Sequence, residues 1–241
     1  MITKAVIPAA GKGTRMLPLT KEKPKPLLEV NGRAFLFYIL DALGKSGFEE
    51  VVVVSGYLGG QIKDFVKKGK WDCSVIVIDQ FDFFPKEKGG TVLPVLAAQN
   101  LINNNSFVVV NSDGLFSPGD LSKMRTDDGY SHVGTLVSNK PENYGVVLVG
   151  REDFVEKIEE KPKNPKSNLV NTGLYKFTPE IFEEAAKVKP SPRGEYELTD
   201  AISALAAKGK VKATRLSDYW LDFSSIADIK PVEDKIKKLK I

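Results

Sequence analysis

The stretch Lys4-Ala5-Val6-Ile7-Pro8-Ala9-Ala10-Gly11-Lys12-Gly13-Thr14-Arg15-Met16-Leu17-Pro18 is a short apolar run that breaks into a glycine-rich turn. A continuous apolar run of this length reads as a strand covered on both faces, as in a parallel sheet. Without side chains at Gly11 and Gly13, backbone N–H groups in the turn can close on phosphate oxygens. Arg15 can add charge-assisted, bidentate contacts to a polyphosphate. Taken alone, the turn is also compatible with a tight strand–helix connection carrying an exposed arginine. It is neither the phosphate loop with Lys-Ser/Thr after its second glycine nor a GxGxxG loop.

Outward from this turn the first half of the chain alternates. Apolar runs at residues 5–8, 51–54, 75–78 and 107–110 are separated by helical spacing at 35–43, 62–66 and 92–101. Strand–helix alternation predicts an α/β fold with a mostly parallel sheet flanked by helices. Ligands of such sheets bind beyond the carboxyl ends of the strands, at a topological switch point. Residues just after Pro8, Ile78 and Val110 are therefore the candidates. Beyond about residue 130 the pattern is strand-rich, with runs at 132–137, 145–149, 154–159 and 174–177, a Pro-containing polar loop at 160–167, helices at 179–187 and 198–208, and a strand at 211–215. A lysine-rich amphipathic helix at 234–240 reads as a solvated cap. No linker or repeat divides the chain, so one domain spanning 1–241 is expected, with a first half to about residue 130 and a strand-rich second half from 131 onward.

With 42% hydrophobic and 27% charged residues among 241, the chain has an ordinary globular composition and can bury a sizeable core. Its net charge of +4 is spread along the sequence, which argues against nucleic acid as a partner. The single cysteine, Cys73, excludes an internal disulfide. The N-terminus lacks the apolar core of a signal peptide, and no apolar run approaches the roughly 18 residues of a membrane span. The expectation is a cytoplasmic protein without a membrane partner; homo-oligomerisation is left open. The only histidine, His132, lies in an expected strand and reads as structural.

The segment Lys21-Glu22-Lys23-Pro24-Lys25-Pro26-Leu27-Leu28 places Lys25 between two prolines, which should hold its backbone extended and direct it at the same strand end. Gly-x-Gly-Thr-Arg-Met-x-Pro-Leu-Thr followed by Pro-Lys-Pro-Leu resembles the signature of the sugar-1-phosphate nucleotidylyltransferases, the NDP-sugar pyrophosphorylases. The resemblance implies a Rossmann-like fold and attack of a sugar 1-phosphate on the α-phosphorus of an NTP, with release of pyrophosphate. It implies phosphate-binding and charge-neutralising roles for Arg15 and Lys25, and nucleotide contacts from Ala10, Gly11, Gly13 and Thr14.

Further elements extend the likeness. The strand Val108-Val109-Val110 runs through Asn111-Ser112 to Asp113, a strand-end carboxylate suited to Mg2+, which takes oxygen ligands and shares them with phosphates. The family usually has glycine before this Asp, so Ser112 is a departure. Tyr219-Trp220-Leu221-Asp222 is similar to the late Trp-x-Asp element, although Phe223-Ser224 replaces its usual Thr-Gly. Asp113 and Asp222 would together hold one Mg2+. Read without the family, Asp222 is an ordinary turn residue. Tyr144-Gly145, Glu160-Lys161-Pro162 and Asn171-Thr172-Gly173 resemble the sugar-side segments. Gly145 would allow close backbone approach, Glu160 and Asn171 would take sugar hydroxyls, and Lys161 the sugar phosphate. Without the likeness Glu160 and Lys161 are a solvated charge pair. Gly194-Glu195-Tyr196-Glu197-Leu198-Thr199-Asp200 also matches, with Glu195 and Thr199 read as packing and helix capping. Gln80 and Gly90 are the candidates for the base, since a carboxamide can donate and accept at a pyrimidine edge and glycine admits the ring. The aromatic insert at 81–88 and Pro94 in a helical stretch are departures there.

A sugar phosphate is already ionised at neutral pH, so no general base is required. The chain ends soon after Asp222, so the β-helix acyltransferase of bifunctional relatives is not expected. UTP and glucose 1-phosphate are the expected substrates, with dTTP, GTP with mannose 1-phosphate, or CTP as alternatives within the family. A regulatory protein that binds nucleotide sugar without turnover is the alternative from another class.

Overall fold

The apolar runs of the first half are β-branched at nearly every position, and both of their faces are covered. In the computed structural model, which describes residues 1–241, the first half runs β1 (Lys4–Ala9), the short ribbon β2 (Glu29–Val30) and β3 (Arg33–Ala34), α1 (Phe35–Lys45), β4 (Glu50–Ser55), α2 (Gly59–Lys68), β5 (Ser74–Asp79), α3 (Val92–Ala97), α4 (Gln99–Ile102), β6 (Phe107–Val110), β7 (Gly114–Phe116) and α5 (Pro118–Lys123). The second half continues with β8 (Ser131–Val137), β9 (Gly145–Val149), β10 (Val155–Glu160), β11 (Leu169–Phe177), α6 (Ile181–Ala185), α7 (Leu198–Ala206), β12 (Val211–Arg215), β13 (Trp220–Asp222) and α8 (Ile229–Leu239).

Strands β5, β4, β1 and β6 are parallel neighbours in that order. β11 joins β6 antiparallel, β8 joins β11, and β12 runs parallel to β8. The antiparallel pair β9–β10 attaches through Val146 to the first part of β11, which completes a mixed nine-stranded sheet. Alternate residues of β1 explain the layers. Ala5, Ile7 and Ala9 belong to one core cluster, which holds Phe35, Leu36 and Ile39 of α1, while Val6 belongs to the other, which holds Val92 of α3 and Ile202 of α7. Each fully buried valine or isoleucine contributes about 1.5–3 kcal/mol. The expected α/β class is the one observed. After β4 and β5 build outward on one side of β1, β6 returns to its other side, creating the switch point at which a ligand cleft forms.

Several boundaries differ from expectation. The run at 92–101 divides at Ala98 into α3 and α4, and Pro94 fits because it lies in the first turn of α3, where an amide needs no helical partner. Glu160 closes β10 instead of opening the following loop, and β11 begins at Leu169. The C-terminal helix starts at Ile229 and buries Val232 and Ile236 in the core, so it is a packed element and more than a solvated cap. His132 bonds Thr214 through Nδ1 at 2.8 Å and Asp128 through Nε2 at 3.0 Å, a structural role away from the cleft. No helix is long and apolar enough to cross a membrane.

Candidate active site

A cavity of about 1090 Å3 opens at the carboxyl ends of β1, β4, β5 and β6, with residues 8–15, Lys25, Gln80, Gly90 and Asn111 to Asp113 on its wall. Ala10, Gly11, Gly13, Thr14 and Arg15 thus share one surface. Gly13 adopts φ 63°, and a Cβ there would lie 3.0 Å from the side chains of both Lys25 and Thr20. That left-handed residue starts the 3-10 turn Thr14–Met16, whose Met16 is fully buried while Arg15 stays exposed. Thr20 Oγ1 donates to the Gly13 carbonyl at 2.9 Å and closes the loop.

Lys25 corrects an expectation. It begins a 3-10 turn, Lys25–Leu27, with Leu27 N donating to the Pro24 carbonyl at 2.8 Å and Leu28 N to that of Lys25 at 3.1 Å. Pro24 and Leu28, which flank the turn, are extended; turn hydrogen bonds and burial of Pro26 and Leu27 outweigh the bias that a following proline imposes on Lys25. Tyr57 and Gln61 fasten the preceding segment by donating to the carbonyls of Lys21 and Glu22 at 2.9 and 2.7 Å.

The Lys25 ammonium rests 2.6 Å from Asp113 Oδ2. Asp222 reaches the same place through the ribbon β7–β13, in which it lies opposite Gly114, and Phe223 N donates to the Asp113 carbonyl at 2.8 Å. Burial pushes the Asp113 carboxyl up, yet Lys25 beside it, aided by Arg15, outweighs this and holds it below the usual carboxylate range. Burial and the negative charges of Asp113 and Asp228 push Asp222 up to about 6. A like-charged pair at the edge of this cavity suits a hard divalent cation with oxygen ligands. No cluster of three or more His, Cys, Asp or Glu side chains adjoins them, so such an ion would complete its shell with water and phosphate oxygens.

The sugar-side candidates lie next to this cavity, off its wall. Gly145 faces Glu160 across β9–β10, and a Cβ on it would come 3.2 Å from Glu160 Oε2 and 3.5 Å from the Asn171 side chain. Asn171 is already engaged, accepting from Gly173 N at 3.0 Å and donating to the Tyr175 hydroxyl at 2.7 Å. Burial raises the Glu160 carboxyl, while Arg193, 3.7 Å away, pulls it down. Lys161 is exposed and left-handed at φ 44°. Two residues join this cluster to the cavity. Asn111 N donates to the Gly173 carbonyl at 2.9 Å. The Tyr144 hydroxyl, raised by burial and by Asp222, also feels the charge of Arg15.

At the opposite end Gln80 is buried on the cavity wall. Gly90 has φ 138°, and a Cβ would fall 2.3 Å from Tyr196 N and O. Tyr196 N donates to the Gly89 carbonyl at 3.0 Å, Val92 N to that of Tyr196 at 3.1 Å, and Leu198 N to Thr91 Oγ1 at 2.9 Å. The 194–200 stretch is therefore fastened to the 89–92 segment, and Glu195, read from sequence as packing, is on the cavity wall. Glu195, Asn111 and Tyr144 were not among the sequence candidates; the paired glycines at 89–90 and 194 were the available signal for the first. Gly90→Ala is expected to cost at least about 2 kcal/mol through strain and backbone collision, seen as a lowered Tm by calorimetry.

This is a cleft of about 1090 Å3 at the switch point of an α/β sheet, lined by a glycine loop with Arg15 and Lys25 and bordered by paired carboxylates. A model of the nucleotidyl transferase family matches residues 4–238, and the chain belongs to that family. The bifunctional protein GlmU of Methanococcus aeolicus is 36% identical over 97% of this chain and 54% of its own length. UTP–glucose-1-phosphate uridylyltransferase AglF of Haloferax volcanii is 33% identical over 98% of this chain and 97% of its own. A solved structure of UDP-glucose pyrophosphorylase complexed with UDP-glucose matches with a TM-score of 0.88 at 26% identity, over 99% of this chain and all of that one. The chain spans about half the length of the bifunctional relatives.

Proposed function

We propose that this nucleotidyltransferase moves a nucleotidyl group from an NTP to a sugar 1-phosphate with Mg2+, and that UTP and glucose 1-phosphate are its substrates. The observation that carries the reading is the meeting of Lys25, Asp113 and Asp222 beside the glycine loop. Likeness to the Haloferax uridylyltransferase and to UDP-glucose pyrophosphorylase supports the choice of substrates.

A phosphate oxygen of the sugar 1-phosphate attacks the α-phosphorus. A new P–O bond forms as the bond from that phosphorus to the oxygen bridging the β-phosphate breaks, and pyrophosphate leaves. Positioning and charge stabilisation supply most of the rate in such transfers. Amides of residues 10–14 hold the triphosphate, and Arg15 and Lys25 take up charge on the transferring group. Gln80 and Gly90 receive the base. Gly145, Glu160 and Asn171 hold the sugar, with Lys161 on its phosphate. Asp113 and Asp222 would hold Mg2+, which would supply positive charge to the transferring phosphoryl group.

The test is pyrophosphate release from UTP, dTTP, GTP and CTP, each with glucose 1-phosphate and mannose 1-phosphate, before and after chelation. The highest kcat/KM is expected for UTP with glucose 1-phosphate, lost on chelation. A preference for dTTP would move the substrate assignment, and no release with any pair would favour a nucleotide-sugar-binding regulator.

A further inference from the structure

Asp120, on α5, is completely buried and stands outside the cavity wall. A buried carboxylate is costly unless its charge is matched by donors. Here the donors come chiefly from the segment leading into β13. Ser217 N approaches its two oxygens at 3.0 and 3.2 Å, Asp218 N lies at 3.0 Å, and Ser217 Oγ at 3.2 Å. Ser117 Oγ at 3.2 Å and Lys123 Nζ at 2.9 Å complete the set. Burial raises this carboxyl, but the Lys123 and amide bonds outweigh it and keep the group ionised below the usual range.

We propose that Asp120 is a positioning residue whose hold on the Ser217 and Asp218 amides sets the line along which β13 presents Asp222 beside Asp113. The role rests on the metal-binding reading of those two carboxylates. β7 and β13 are each three residues long, too short to define their own geometry as an isolated ribbon. The far end of β13 is anchored by Phe223, stacked on Phe35 at 4.4 Å. That end is also held by Phe223 N on the Asp113 carbonyl and by the ladder to β7. The entry to β13 is held by Ser117 N on the Tyr219 carbonyl at 3.2 Å and by the Asp120 clamp on Ser217 and Asp218, which fixes its direction. Asp120 is thus tied to Asp222 through the four residues that follow Asp218. A displacement of about 1 Å at a reacting centre can cost 100-fold in rate.

The test compares Asp120→Asn with Lys123→Ala, which removes a half-exposed ammonium bonded to Asp120 and to Ser217 Oγ but leaves the Ser217 and Asp218 amides on the carboxylate. Asp120→Asn is expected to lower kcat about 100-fold with the NTP KM within about threefold. It is also expected to weaken Mn2+ binding about tenfold, as followed by the EPR signal of Mn2+ titrated into the chain. Lys123→Ala should stay within about twofold of wild type on every readout. A folded Asp120→Asn chain with wild-type kcat and Mn2+ affinity overturns the role, as does an equal loss in Lys123→Ala. Should Asp120→Asn fail to fold, Ser117→Ala removes one donor to the carboxylate, together with the N-cap bond from Asp120 N, and should move kcat and Mn2+ affinity together by about threefold; unchanged values overturn the proposal. A wild-type chain that neither binds Mn2+ nor releases pyrophosphate overturns the site reading itself, and Asp120's role with it.

Discussion

Replacing Arg15 with alanine is expected to lower kcat/KM for pyrophosphate release about 1000-fold, with little change in Tm. The side chain is exposed beside the glycine loop and takes part in no ion pair with the protein. Its removal therefore breaks no packing, and surface changes of this kind usually alter stability by less than about 0.5 kcal/mol. Fixed charges aimed at a transferring phosphoryl contribute far more, about 100- to 1000-fold for a single preorganised donor and more for an arginine at such a group. Arg15→Lys keeps the charge but loses the planar, bidentate geometry, so an intermediate loss is expected. Steady-state kinetics of the three proteins decide the matter; undiminished turnover in Arg15→Ala would remove Arg15 from the mechanism.

Asp222→Asn is expected to abolish activity, by at least about 1000-fold, while making the ligand-free protein more stable at neutral pH. Burial and the neighbouring charges of Asp113 and Asp228 raise its pKa to about 6, from an unperturbed 3.8. Between these values the folded state holds a proton that the unfolded state has lost, so stability falls as pH rises from about 4 to about 6 and the penalty is complete above that window. A shift of about two units corresponds to at most about 3 kcal/mol. Partial solvent screening reduces this to about 1–2 kcal/mol, or a Tm gain of about 2–6 °C for the variant at pH 7.5. Below pH 4 the gain should vanish, because wild-type Asp222 is then protonated in both states. Calorimetry of metal-free wild type and variant at the two pH values measures the difference. An unchanged or lower Tm at pH 7.5 would mean that Asp222 is not held against its own charge.

The contrast between these substitutions follows from how each residue reaches the site. Arg15 is delivered locally, by a strand that ends and a glycine turn that begins within a few residues. Periodicity and backbone sterics act over that range, so the loop, its strand and the approximate ends of β4, β5 and β6 were legible in the sequence. Asp113 could be placed for the same reason, at the end of an apolar strand. Lys25 was recognised, but its conformation was not, because turn hydrogen bonds and burial of the neighbouring residues override the local bias of proline.

What escaped sequence reasoning depends on pairing between distant segments. The ribbon β7–β13 joins strands of three residues across more than 100 positions, and so short a strand leaves almost no periodic signal. The clamp of Ser217 and Asp218 on Asp120, the fastening of 89–92 to 194–198, and the approach of Tyr144 to Asp222 are likewise through-space contacts. Asn171 shows the converse: its identity was evident, but not that its amide already serves Gly173 and Tyr175.

Short-range sterics and apolar patterning in residues 4–18 were thus sufficient for a strand, a phosphate-sized turn and an arginine held out of the core. The family resemblance already implied that Lys25, Asp113 and Asp222 gather beside that turn; tertiary structure alone decided how they reach it, and that one carboxylate is held down by a cation while the other is pushed up to about 6. The physical reason is that a backbone turn is governed by a few neighbouring dihedrals, whereas the charge state of a side chain follows the field of everything folded around it.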